Sequence, residues 1–181
     1  MNYKEVITLI IEEKVNTSNL YLYHATNKNN LESILEQGLL MNPSTHNWND
    51  MYVDDGVFLA LDVRDALDYM YDLDMNEEDI VVLKVPLSKL NSKYIKYDWN
   101  NKCEYSTDIN SIKYEHNIPS NCLTICNPKT EPSQCFADFE GTDLYDIIFD
   151  TFWEDVESNL EREGSYVEDN YFDIGDEYIG Y

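Results

Sequence analysis

Residues 56–71 read GVFLALDVRDALDYMY. Val57 to Ala60, directly after Gly56, form a short apolar run that reads as a strand. Asp62 is then placed to cap a helix running through Tyr71, because a short acceptor side chain ahead of the first turn takes up one of its unpaired backbone N–H groups. The stretch therefore predicts a strand leading straight into a helix. Since Val57, Phe58, Leu59 and Ala60 are all apolar, alternation alone does not separate the faces of this strand.

Downstream, IVVLKV over Ile80 to Val85 is the clearest buried strand, and Pro86, lacking an N–H, ends its ladder. Weaker strand signals follow at Tyr94 to Tyr97, Ile112 to Tyr114 and Cys122 to Ile125. Upstream, LYLYH over Leu20 to His24 predicts a strand ending at His24, with ATNKNN after it as polar turn material. Asn29 is then predicted to cap a helix with Glu32 in the capping-box position. Leu31, Ile34 and Leu35 supply its buried stripe and Gly38 its left-handed stop. Met41 to Asp55, rich in Asn and Asp, reads as a long surface loop.

Both ends read as helical. Val6, Leu9 and Ile10 recur at helical spacing, so Tyr3 to Lys14 is predicted to be amphipathic. From Asp143 on, Leu144, Ile147, Ile148, Phe152, Val156 and Leu160 recur at the same spacing opposite an acidic face. Residues 164–181 interleave aromatics with acids and carry too little aliphatic content to predict order.

The chain has 181 residues and 43% hydrophobic composition, enough for one core and hardly for two. No stretch approaches the roughly 20 apolar residues that span a bilayer. The opening MNYKEVITLIIEEKV carries acids where a signal peptide would have a small-residue cleavage site. A soluble, cytoplasmic protein is the expectation, with no membrane partner. The four cysteines read as free thiols. A zinc site from Cys122, Cys126, Cys135 and His116 would lack paired C-x2-C knuckles, so no metal is expected.

Charge is the most unusual feature. Thirty-six acids face 12 Lys plus Arg, a formal −24. A field of that sign repels polyanions, which excludes nucleic acid as an ordinary ligand and points to a basic protein partner. The acids are uneven: 15 of them, against Arg162 alone, fall between Asp138 and the end. The expected organisation is a domain over residues 1–137 with an acidic helical appendage over 138–181 packed on it.

Taken in order, LYHAT, ILEQGLL, GVFLALDVRDALDYMY, VVLKVPL and SIKYEHNIPSNCLTI resemble the ADP-ribosyltransferase family over about residues 20–125. That family includes the bacterial toxin branch and the tRNA 2′-phosphotransferases. Its members often read YHGT, I-x-x-x-GL, GVYLS, VL-x-V and IPP-x-x-I. The resemblance implies an α+β fold with an ADP-ribosyltransferase-like split β-sheet core and flanking helices, to which the C-terminal acidic amphipathic helix is added.

It also implies NAD as substrate. His24 would hydrogen-bond the nicotinamide ribose, the Ala25 backbone would hold the carboxamide, and Thr26 adds a hydroxyl at the same turn. Phe58 stands where the family commonly has a tyrosine packed on the nicotinamide; a phenyl face suffices for that contact. Glu115, with Glu104 as second candidate, is expected to orient the acceptor and stabilise the oxocarbenium-like ribose. Arg64 could contact the dinucleotide phosphates. Each has a structural alternative: His24 satisfied by a neighbouring carbonyl, Phe58 filling the core, Arg64 paired with Asp68. Because NAD is an anion, binding it calls for a local basic patch from Arg64, Lys84 or Lys113.

Two functions follow. One is an NAD-dependent mono-ADP-ribosyltransferase modifying a macromolecule recruited by the acidic C-terminal region. The other is an inactive acidic protein that inhibits a basic partner by mimicking nucleic acid.

Overall fold

The computed structural model describes residues 19–41, 56–98 and 109–151. Among these, residues up to Ile147 form one compact unit and Ile148 to Thr151 belong to a second. The predicted helix over Tyr3 to Lys14, the greater part of the Met41 to Asp55 loop, Glu104, and the tail from Phe152 on lie outside the described residues.

Six strands, β1 (Tyr21–Asn27), β2 (Val57–Ala60), β3 (Ile80–Pro86), β4 (Ile95–Tyr97), β5 (Ser111–Tyr114) and β6 (Thr124–Cys126), form one sheet in the order β4-β5-β2-β1-β3-β6. Every pairing is antiparallel. β1 lies inside the sheet, joined to β2 through Tyr23↔Ala60 and to β3 by a ladder from Tyr21↔Pro86 to Asn27↔Ile80. Helix α1 (Leu31–Gln37) follows β1, and α2 (Val63–Tyr71) follows β2. Residues 143–151 are helical, and the Thr142 hydroxyl accepts from the Tyr145 N–H at that helix's start. The mixed α+β architecture is the expected one.

Paired residues share a face, which fixes the two sides of the sheet. Tyr23, Ala60 and Val82 form a core cluster with Val63 and Ala66 of α2. On the opposite side Leu22, Leu59, Leu83, Val85 and Ile112 are all 0% exposed. With both faces buried, VFLA and IVVLKV have no reason to alternate.

Three local expectations are corrected. β1 does not end at His24: Ala25, Thr26 and Asn27 stay in the ladder opposite Val82, Val81 and Ile80, because pairing to β3 outweighs their turn propensity. Asn29 does not cap α1. A single 3₁₀ turn over Lys28–Asn30 intervenes, the Asn27 side chain accepts from the Asn29 N–H at 2.8 Å, and Asn30 occupies the cap position without a side-chain cap bond. Nor does α1 bury a stripe, since Leu35 is 45% exposed and no residue of the helix is fully buried. Two turns lying against the 120–122 turn present only Leu31 and Ile34 part-way inward.

Gly38 ends α1 as expected, at φ +85°. It hands the chain to Leu39, which exchanges two backbone hydrogen bonds with Ile118 at 2.8 and 2.9 Å. A Cβ on Gly38 would stand 2.2 Å from the Ile118 carbonyl oxygen, so glycine is required there for both conformation and space.

Candidate active site

A cavity of about 70 Å³ opens between α2 and the sheet face carrying Tyr23 and Ala60, several times the space one water needs. β1 contributes His24 and Ala25 to its lining, and β2 contributes Phe58 and Ala60. α2 and the turn after it supply Ala66, Tyr69, Met70 and Leu73, while Asp98 and Ser111 complete the wall. The sequence pattern places this cavity: the short β2 delivers Phe58, and the Asp62 cap starts α2 at once, so the helix folds back over the strand that precedes it.

His24 Nδ1 lies 3.0 Å from the Phe58 carbonyl oxygen. A carbonyl only accepts, so Nδ1 carries the proton and Nε2 is left as the acceptor of the neutral ring. Burial holds the His24 pKa below its ordinary 6.5, opposed by the hydrogen bond to Phe58, and the ring is therefore neutral at physiological pH. The carbonyl partner expected as a purely structural alternative exists, and it also fixes the tautomer of His24, a residue of the cavity lining.

Ala25 and Phe58 line the same cavity. Thr26 does not: it is 1% exposed, and its hydroxyl oxygen accepts from the Asn30 amide at 3.3 Å. Glu115 also lies outside the lining, with its carboxylate 3.1 Å from the Lys113 ammonium.

Arg64 pairs with Asp62, at 2.9 Å through Nε, instead of with Asp68, and it also donates to the Ser133 hydroxyl. Asp62 is the better partner because it is fixed: its carboxylate caps α2 through the Arg64 N–H at 2.8 Å and accepts the Gln134 N–H at 2.7 Å. Burial alone would raise the Asp62 pKa, but the hydrogen bonds from Arg64, Gln134 and Ser133 bring it down to about 2. The Gln134 amide in turn donates to the carbonyls of Tyr21 and Leu61, tying residues 133–135 to β1 and to the start of α2. Lys84 meets Glu131 at 2.9 Å, and Glu131 also accepts from the Tyr23 hydroxyl. Each of the three cations considered for an anion-binding patch thus faces a carboxylate.

Sequence reading did not single out Tyr69, Asp98 or Ser111 as site residues. Ser111 donates to Asp98 at 2.6 Å, and both are buried, 7% and 3% exposed. The Tyr69 hydroxyl pKa is pushed up to about 12, by burial first and then by the charges of Asp98 and Asp72. Among the described residues no group of His, Cys, Asp and Glu is arranged to hold a metal ion, and no helix is long and apolar enough to cross a membrane.

No curated protein matches the chain. The family described as the poly(ADP-ribose) polymerase catalytic domain matches it over residues 3–132, a span that takes in all six strands, both α1 and α2, and the whole cavity lining. The cavity between β1, β2 and α2 therefore sits inside an ADP-ribosyltransferase fold, and the chain belongs to the poly(ADP-ribose) polymerase catalytic domain family.

Proposed function

We propose that the chain is an NAD-dependent mono-ADP-ribosyltransferase that modifies a basic protein, with the cavity receiving the nicotinamide half of NAD. The observation carrying this reading is the His24 to Phe58 hydrogen bond, which joins two residues of the cavity lining and leaves His24 Nε2 as the acceptor of a neutral ring. A ribose hydroxyl can donate to such a nitrogen, and Phe58 and Tyr69 offer π surface to a pyridinium. In the reaction the bond between ribose C1′ and the nicotinamide nitrogen breaks. Its electron pair leaves with nicotinamide, and the cationic ribose is captured by an acceptor nucleophile that gives up its proton. Neutral His24 orients the sugar, and the Ala25 backbone holds the carboxamide.

Transfer of one unit is favoured over polymer growth by electrostatics. A growing chain of ADP-ribose is a polyanion, and a −24 protein whose Arg64, Lys84 and Lys113 are matched by acids is poorly suited to hold it. The same charge favours a basic acceptor, with the acidic region from Asp138 on as its docking element. Glu115 enters as the carboxylate of the acceptor side.

Nicotinamide release from NAD by the purified chain tests this reading. It should occur, should fall by about tenfold or more in His24→Ala, and should fall in Glu115→Ala while nicotinamide binding persists. Absence of NAD binding at millimolar concentration would sink it. The pairing of all three cations favours one second reading, an acidic binding module on this fold that turns nothing over and competes with nucleic acid for a basic partner. That reading predicts no nicotinamide release and a capture of basic protein that weakens steeply with salt.

A further inference from the structure

The least expected group in the cavity wall is a carboxylate. Asp98 follows Tyr97, whose partner across the sheet is Ile112, so it stands across from Ser111; Ser111 pairs with Ala60, and Ala60 with Tyr23. This row of neighbours crosses four strands on the side of the sheet that α2 covers, and it carries Asp98 to a cavity whose lining also includes the apolar Ala60, Ala66, Met70 and Leu73 and, among the described residues, holds no other carboxylate. Asp98 is 3% exposed, and Ser111 donates to its Oδ2 at 2.6 Å, a short hydrogen bond that fixes the carboxyl group in place.

We infer that Asp98 is a specificity-determining residue, which admits a ring bearing an amide or a positive charge and closes the cavity to a ring bearing a carboxylate, so that NAD is accepted and its nicotinic-acid counterpart refused. The inference rests on the nicotinamide reading of the cavity. Its physical basis is that an ionised carboxylate only accepts hydrogen bonds. A carboxamide can donate to it and a pyridinium is attracted to it. A second carboxylate would bring like charge into a space where water does not screen it, at a cost far above that in bulk solvent.

Free nicotinamide and free nicotinate, titrated separately into the full chain by calorimetry, test the inference with Asp98→Asn alongside. The unsubstituted chain should prefer nicotinamide by about tenfold or more, and Asp98→Asn should bring the two ligands to within a few-fold. The preference should survive about 0.5 M salt, where the field of distant charges is screened within a few ångströms. A preference that vanishes with salt would belong to the overall −24 charge, and one that persists unchanged in Asp98→Asn would belong to another group; either overturns the inference and leaves the nicotinamide site standing. If nicotinamide itself does not bind, the reading of the cavity fails and this inference with it. Should Asp98→Asn not fold, the 1-methylnicotinamide cation carries the test on the unsubstituted chain. It should bind at least as tightly as nicotinamide at the same high salt, and weaker binding overturns the proposal.

Discussion

The Phe58 carbonyl oxygen accepts a hydrogen bond from His24 Nδ1 at 3.0 Å, linking two neighbouring strands, and both residues belong to the cavity lining. The backbone of one predicted ligand-binding residue thereby sets the tautomer of the other. Protonating the ring removes the Nε2 acceptor. Since burial holds the His24 pKa below 6.5, nicotinamide release should be flat above that pH and fall on the acid side with an apparent pKa under 6.5. The same shift bears on stability: with the folded value below the unfolded one, the contribution is full above 6.5 and is lost as pH falls toward and through the folded value. His24→Ala should lower kcat/KM for NAD by about tenfold or more. An unchanged pH profile in that variant would show that the ring takes no part.

Phe58 should behave as a surface and not as a donor. Phe58→Tyr is expected to keep nicotinamide affinity within a few-fold, whereas Phe58→Leu, which preserves apolar bulk and removes the π face, should weaken it by about fivefold. Calorimetry with free nicotinamide reads both. Equal affinity of the Leu variant would return Phe58 to the role of core filler.

Asp62 accepts hydrogen bonds from Arg64, Gln134 and Ser133, and its folded pKa of about 2 lies below the ordinary 3.8. Its stabilising contribution is present above 3.8 and lost as pH falls through 2. Allowing for solvent around the exposed Arg64 side of the pair, that contribution is about 1–2 kcal/mol. Asp62→Asn should therefore reduce urea stability at neutral pH by at least that amount, and the gap from the unsubstituted chain should close as pH approaches 2. A gap independent of pH would mean that the loss is one of packing.

The elements that sequence made legible are those whose causes are local. The Asp62 cap, the helix through Tyr71, the apolar runs of β2 and β3, and the Gly38 stop are each decided within a few residues. The extension of β1 through Asn27 was not legible, because it depends on partners in β3 more than fifty residues away. His24, Ala25 and Phe58, which the structure brings to one cavity, drew notice in the sequence because they stand in ordered motifs. Asp98 and Ser111 were not: they lie at the ends of short strands in stretches without a motif, and only the sheet order brings them beside Ala60. The one available signal was alternation in SIKY, which puts the small polar Ser111 on the same face as Lys113.

Gly38→Ala tests the junction between α1 and the Leu39 to Ile118 bridge. Its new methyl group would meet a backbone carbonyl at 2.2 Å in a conformation that L residues avoid. The expected cost is about 1–3 kcal/mol in urea unfolding. Since Gly38 is outside the cavity lining, nicotinamide affinity of the folded fraction should hardly change.

The dependence on salt separates this chain from an enzyme that draws in NAD by charge. Steered association of an anion with a cationic cleft slows as ions are added. Here the net charge is −24 and Arg64, Lys84 and Lys113 each face a carboxylate, so approach of the dinucleotide is opposed at long range. Raising ionic strength shortens the reach of that repulsion, from about 30 Å at 0.01 M to about 8 Å at 0.15 M. kcat/KM for NAD should therefore rise by about two- to tenfold across this range, the reverse of the usual trend. Removing one charge refines the test: Glu131→Gln frees Lys84, and if attraction at that site matters it should raise kcat/KM at low salt and flatten the salt profile. A fall in kcat/KM with salt in the unsubstituted chain would mean that cations other than these three guide NAD to the cavity.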